Sequence, residues 1–274
     1  MGGPIGVFDS GVGGLSVWRE IVRQLPEEDT LYVADQAHIP YGPRPLEEIR
    51  GYAEGITRFL LSQGAKVIVV ACNTASGAAL THLRQTFPTV PFVGMEPAVK
   101  PAVEHTQRGI VGVIATPATL QGELFRRLVE RYAGQVQVLT QTCPGLVELV
   151  EAGELHSERT RQALQGFLQP MLSAGIDQLV LGCTHYPFLS ETIAEVAGPG
   201  VQLIDPAPAV ARQVARILDA RGLRRQAGQA ARHTFCTSGN PQALAHQAQR
   251  LVGYTGEIKA LIWDEAQRSL QFKA

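Results

Sequence analysis

The chain has 274 residues, 45% of them hydrophobic and 18% charged, with a formal net charge of −1. That is enough apolar material for one large or two modest packed domains, and it leaves no overall basic excess to hold a phosphate backbone, so a nucleic-acid partner is not expected. The basic run RGLRRQAGQAAR at 221–232 reads as a solvated loop or helix end, and no apolar run approaches the roughly 18 residues of a membrane span, so no membrane partner is expected either.

The opening, MGGPIGVFDSG, lacks the charged start and long apolar run of an export signal, which predicts a cytoplasmic protein. From there, short apolar runs alternate with amphipathic stretches, the pattern of βαβ units on a parallel sheet. PIGVFD (4–9) reads as a strand, SGVGG as a turn, and Leu15, Trp18, Val22 and Leu25 as one face of a helix. TLYVAD (30–35) is a second strand, followed by the loop AHIPYGPRP and a helix whose apolar face carries Ile49, Tyr52, Ile56 and Phe59. The strand VIVVA runs into Cys72, Asn73 and Thr74, ahead of a helix marked by Leu80, Leu83 and Phe87, and VPFVGM (90–95) closes the set.

From about residue 98 the pattern begins again. GIVGVIATPATLQ (109–121) is strand, turn and helix; VQVLT (136–140) is a strand; helices occupy about 144–152 and 158–174. QLVLGC then leads into Thr184 and His185, and VQLID (201–205) ends the series. Spacing repeats as well: Gly64 precedes Cys72, and Gly175 precedes Cys183, by the same eight positions, while Gly6 and Gly112 stand four before Ser10 and Thr116. This predicts an α/β chain of two similar halves with mostly parallel sheets, each ending a strand in a cysteine. Ligands of open α/β sheets lie beyond the carboxyl ends of the strands, so two halves facing a central cleft would place a thiol on each wall.

A cysteine between a strand and a helix lies near free N–H groups and the positive end of the helix, which favours thiolate. Asn73 and Thr74 suit the cap of the helix after Cys72, and Pro187 the first turn of a helix after Cys183. A lone cysteine so placed also reads as a small buried hydrophobe. Two at matched positions suit a particular task, removing a proton from one face of a carbon and returning one to the other, which is racemisation or epimerisation. Asp9, and His185 or a carboxylate in the other half, could relay protons to the thiols. The four cysteines form no C-x-x-C pair and no histidines cluster, so neither a metal site nor a disulfide framework is expected. Only four lysines occur, none in these motifs, which argues against pyridoxal phosphate, and no cofactor is expected. DSGVGG is a weak match to a phosphate-binding turn, since Ser16 replaces the last glycine and Asp9 would repel phosphate.

GVFDSGVGGLSV, IPYG, ACNTAS, LVELVEAGE and LGCTHYPFL, in this order and spacing, resemble the bacterial glutamate racemases of the cofactor-independent aspartate/glutamate racemase superfamily. The resemblance runs from Pro4 through DPA (205–207) to FCTSGN (235–240). It implies interconversion of L- and D-glutamate, supplying D-glutamate for peptidoglycan, with glutamate as the small-molecule partner. By family position it makes Cys72 and Cys183 the acid/base thiols, Cys72 acting on the D enantiomer and Cys183 on the L. Asp9 assists Cys72; His185, with Glu151 nearby, assists Cys183. Substrate contacts carry over to Asp9, Ser10, Tyr41, Gly42, Asn73, Thr74, Thr184 and His185, and Thr116 and Thr119 match a threonine-containing loop.

The same resemblance implies two flavodoxin-like domains, the first discontinuous at about 1–97 plus 208–274 and the second at 98–207, and a homodimer. Gly145 and Glu148 stand where bulkier apolar residues and proline are expected, and Pro206 where serine is common. A related racemase acting on aspartate, and a two-lobed binding protein for a small carboxylate, are the alternatives. His38, His82, His105, His156, His233 and His246 fall outside the strand-end pattern and read as surface or structural.

Overall fold

Parallel strands alternate with helices in a computed structural model that describes residues 2–226, 228, 230–264 and 266–273. The chain divides into two units, Met1–Met95 with Ala207–Ala274, and Glu96–Pro206. The first begins β1 (Ile5–Asp9), α1 (Leu15–Gln24), β2 (Thr30–Ala34), α2 (Leu46–Ser62), β3 (Val67–Val70), α3 (Asn73–Thr86) and β4 (Phe92–Gly94). The second comprises α4 (Val99–His105), β5 (Ile110–Ala115), α5 (Pro117–Gln121), α6 (Glu123–Tyr132), β6 (Gln137–Thr142), α7 (Leu146–Glu151), α8 (Glu158–Ser173), β7 (Gln178–Gly182), α9 (Ser190–Ala197) and β8 (Gln202–Ile204). The first unit then resumes with α10 (Ala207–Ala220), β9 (His233–Thr237), α11 (Pro241–Val252), β10 (Ile258–Asp264) and β11 (Ser269–Phe272).

One sheet runs β11-β10-β9-β2-β1-β3-β4 and the other β6-β5-β7-β8; every pair is parallel except β10 with β11. Strands β1, β3 and β7 are buried along their whole length, as a parallel sheet covered by helices on both faces requires. The order β2-β1-β3-β4 recurs as β6-β5-β7-β8, the flavodoxin-like arrangement. Helix α1 buries Trp18, Ile21 and, just past its end, Leu25; Val22, expected on that face, borders the stripe and is half-buried. No helix among the described residues is long and apolar enough to cross a membrane.

The repeated spacings have a structural cause. Gly64 and Gly175 take the left-handed φ of +79° and +88° just after α2 and α8. Each closes its helix with the same pair of bonds, Gly64 N–H to Leu61 O and Ala65 N–H to Leu60 O, and Gly175 N–H to Leu172 O and Ile176 N–H to Met171 O. The next strand then starts at a fixed offset. Gly6 pairs with Ile68 and Gly112 with Leu179; a Cβ at either glycine would lie 3.0 Å from the δ1 methyl of its partner. The C-terminal segment docks on the free edge of β2, where β9 aligns Thr30 with His233 through Ala34 with Thr237.

Candidate active site

In the first unit the chain leaves β1 toward β2 on one side and later β3 on the other, a reversal that opens a crevice at the carboxyl ends of β1 and β3. Asp9 ends β1, fully buried, and its Oδ1 accepts the Gly11 N–H at 2.9 Å, fixing the turn that carries the buried Ser10. The turn packs so closely that a Cβ on Gly14 would lie 2.5 Å from Asp9 Cβ. Cys72 follows β3 with an extended backbone and is the cap of α3; its Sγ accepts the Ala75 N–H at 3.4 Å. Asn73 and Thr74, expected as caps, are instead the first two helical residues, because the extended backbone at Cys72 swings its sulfur over the first turn. The helix N-terminus favours negative charge at that sulfur.

Asn73 is buried and neither its Oδ1 nor its Nδ2 has a hydrogen-bond partner. An unmet buried polar group costs about 1–3 kcal/mol, a cost that a polar ligand beside the thiol can offset. Thr74 is buried next to it. Tyr41 belongs to the same buried cluster as Cys72, and its hydroxyl donates to Asp35 Oδ2 at 2.7 Å. Burial first, and then the Asp35 carboxylate, raise that phenol well above its ordinary range. Its proton is committed to Asp35, and Gly42, half-buried in the following turn, has only backbone to offer a ligand. His38 is buried with Nδ1 2.9 Å from Asp35 Oδ2, a structural role.

The second unit has the same reversal between β5 and β7. At the end of β5, Thr116 caps α5 by accepting the Thr119 N–H at 3.4 Å, and Thr119 is buried. Cys183, Thr184 and His185 follow β7, all buried. No α-helix starts there: a 3-10 turn over Tyr186–Leu189, with Pro187 in its first positions, precedes α9 at Ser190. The helix-start argument therefore holds for Cys72 and not in that form for Cys183, which has a side-chain partner instead. Its Sγ lies 3.8 Å from His185 Nδ1, and His185 Nε2 lies 2.8 Å from Glu151 Oε1. Burial disfavours the imidazolium, but the hydrogen bonds and charges of Cys183 and Glu151 outweigh it and raise His185 well above the usual histidine range.

Glu151 closes α7, which starts after Gly145 at a left-handed φ of +85°, so a glycine suits the position where a bulkier residue was expected. Glu148 on the same helix is exposed. Burial pushes the Cys143 and Cys236 thiols up to about 12, which leaves both inert at neutral pH. None of the four cysteines is in a disulfide. Among the described residues, no three His, Cys, Asp or Glu side chains are grouped to hold a metal ion. Sequence reasoning passed over Asp35, which follows β2 as Asp9 ends β1 and is fully buried; its strand-end position was the available signal.

Comparison with known proteins gives consistent matches. The Asp/Glu/Hydantoin racemase family model matches residues 5–214. The glutamate racemase of Herpetosiphon aurantiacus is 54% identical over 248 residues, 90% of this chain and 97% of that protein. A glutamate racemase isoform of Bacillus anthracis superposes with a TM-score of 0.86 at 35% identity, over 96% of this chain and 98% of its own. Escherichia coli glutamate racemase, solved with L-glutamate and the activator UDP-MurNAc-ala, gives 0.84 at 34% identity over 94% and 98%.

Proposed function

The chain belongs to the Asp/Glu/Hydantoin racemase family, and from that premise we infer that it interconverts L- and D-glutamate, with Cys72 and Cys183 as the paired acid and base. D-glutamate is the product used in peptidoglycan, so the activity serves cell-wall synthesis. The observation that carries the two-thiol reading is a buried cysteine at the same strand end of each unit, after β3 and after β7.

The α-proton beside a carboxylate is a poor acid, so the site must lower the energy of a carbanion-like transition state with preorganised donors in water-poor surroundings. Asn73, Thr74 and Thr184 are suitable donors, and Ser10, Tyr41 and Gly42 complete the substrate contacts. Starting from L-glutamate, Cys183 as thiolate takes the α-proton while Cys72 as thiol delivers one to the opposite face; the reverse reaction exchanges the roles. The raised imidazole of His185, held by Glu151, stabilises negative charge on Cys183. Asp9, at the end of the strand next to β3, assists Cys72. No cofactor enters this scheme, and the chain works as a cytoplasmic homodimer in this reading.

The test is proton NMR of the chain with L-glutamate in D₂O without added cofactor, alongside a chiral assay. Loss of the α-proton signal with appearance of deuterated D-glutamate is the expected result. A persistent α-proton over folded protein would overturn the reading, and turnover of aspartate in preference to glutamate would move it to the aspartate branch.

A further inference from the structure

Asp35 gathers side chains from three separate stretches of the first unit. Its Oδ2 lies 2.9 Å from His38 Nδ1 and accepts the Tyr41 hydroxyl at 2.7 Å. Its Oδ1 accepts the Ser238 hydroxyl and the Trp263 indole N–H, each at 2.7 Å. A carboxylate has about four lone-pair directions, and here each meets a side-chain donor, with His38 donating from Nδ1.

The four donors differ in origin. His38 precedes and Tyr41 lies within the loop that leaves β2, Ser238 follows β9, and Trp263 lies in β10. The loop from Ile39 to Pro45 has neither helix nor strand, so side-chain anchors fix its position. The Tyr41 hydroxyl is one; the Arg44 Nε–H donating to His38 O at 2.6 Å is another. Tyr41 in turn shares the buried cluster of Cys72.

We propose that Asp35 is a positioning residue through which Ser238 and Trp263 of the C-terminal segment hold the Tyr41–Gly42 loop against the Cys72 half of the site. The proposal rests on Tyr41 and Gly42 being substrate contacts. It gives the C-terminal segment around β9 and β10 a part in substrate binding from outside the residues read as substrate contacts. A loosened loop weakens glutamate binding while leaving the thiols in place, so its signature is in KM rather than kcat.

The experiment is steady-state kinetics of the full chain carrying Ser238→Ala, Trp263→Phe and Tyr41→Phe, singly and with each of the first two combined with the third. Ser238→Ala and Trp263→Phe are expected to raise KM for glutamate about three- to tenfold with kcat within about twofold, and to add little once Tyr41→Phe has cut the link. Ser238→Thr, which keeps the hydroxyl, is expected to restore KM. An unmoved KM in the single variants, effects that multiply in full in the Tyr41→Phe background, or a loss of kcat that tracks a loss of folded protein would each overturn the proposal. A wild-type chain that does not racemise glutamate would overturn the parent reading with it, whereas wild-type turnover with unmoved variants overturns this proposal alone.

Discussion

Cys72 and Cys183 end equivalent strands, yet their sulfurs are held by different means. The first takes a backbone N–H at the start of α3; the second lies against an imidazole that a carboxylate anchors. In the proposed two-thiol scheme Cys72 and Cys183 are the groups that exchange the α-proton itself, so Cys72→Ser and Cys183→Ser are each expected to lower kcat by about 10²–10⁴-fold in both directions while circular dichroism stays unchanged. Full activity in either variant would favour the binding-protein alternative. His185 allows a second test. Its pKa is raised in the folded chain, so the folded state holds a proton that the unfolded chain releases above about pH 6.5. The resulting stabilisation is fully present below that pH and lost as pH rises through the folded value. Denaturation midpoints of the wild type are therefore expected to fall from about pH 6.5 upward, and those of His185→Asn to fall less; parallel profiles would count against the assignment. At this scale the strand-end cysteines, Asp9 and His185 were legible because strand ends can be read from apolar runs. The sulfur cap was not, since capping preferences point to the oxygen-bearing Asn73 and Thr74, and only the backbone angles at Cys72 decide otherwise.

The elements that carry these residues depend on a few glycines. Gly182 immediately precedes Cys183, and a Cβ there would lie 2.8 Å from Ala115 Cβ and 2.9 Å from Ile114 O, so β7 would have to move away from β5. Gly182→Ala is therefore expected to cut kcat/KM by about 10²-fold through displacement of the thiol, measured against a modest change in thermal midpoint. Gly64 makes the opposite case. A Cβ there meets nothing within 4 Å, but its φ of +79° disfavours any side chain, so Gly64→Ala should cost about 1–2 kcal/mol of stability and leave kcat/KM unchanged. If the two variants behave alike, the assignment of one glycine to the site and the other to a helix end fails. The close approach at Gly182 had no signal in the sequence, whereas Gly64 was visible there through its spacing to Cys72. The 3-10 turn after Cys183 was not, because Pro187 suits the first turn of either helix type.

The first unit is built from two distant stretches of chain, and the docking of the second on β2 had no local signature. Pairing between β2 and β9 is set by backbone bonds across some 200 positions, and any apolar strand of that length presents the same pattern. Part of what holds the returning stretch is a polar knot at the amino-terminal ends of the strands. Lys66 Nζ donates to Glu28 Oε2 at 2.5 Å and to Leu223 O at 2.8 Å, and Glu28 Oε1 accepts the Arg225 N–H at 2.9 Å. The Arg225 guanidinium pairs with Asp29. The run at 221–232, expected to be solvated, is thus partly bound to the chain's own carboxylates; its residues 227 and 229 lie outside those described. The Lys66 and Glu28 side chains are only 5% and 3% exposed, so neither charge can turn to water if its partner is lost. Glu28→Gln, which strands a buried ammonium, is expected to cost about 3–5 kcal/mol in urea unfolding, while Glu28→Gln with Lys66→Met recovers most of it because both charges are gone. If the double variant is no more stable than the single one, the knot holds the unit through its backbone bonds to Leu223 and Arg225 rather than through the ion pair.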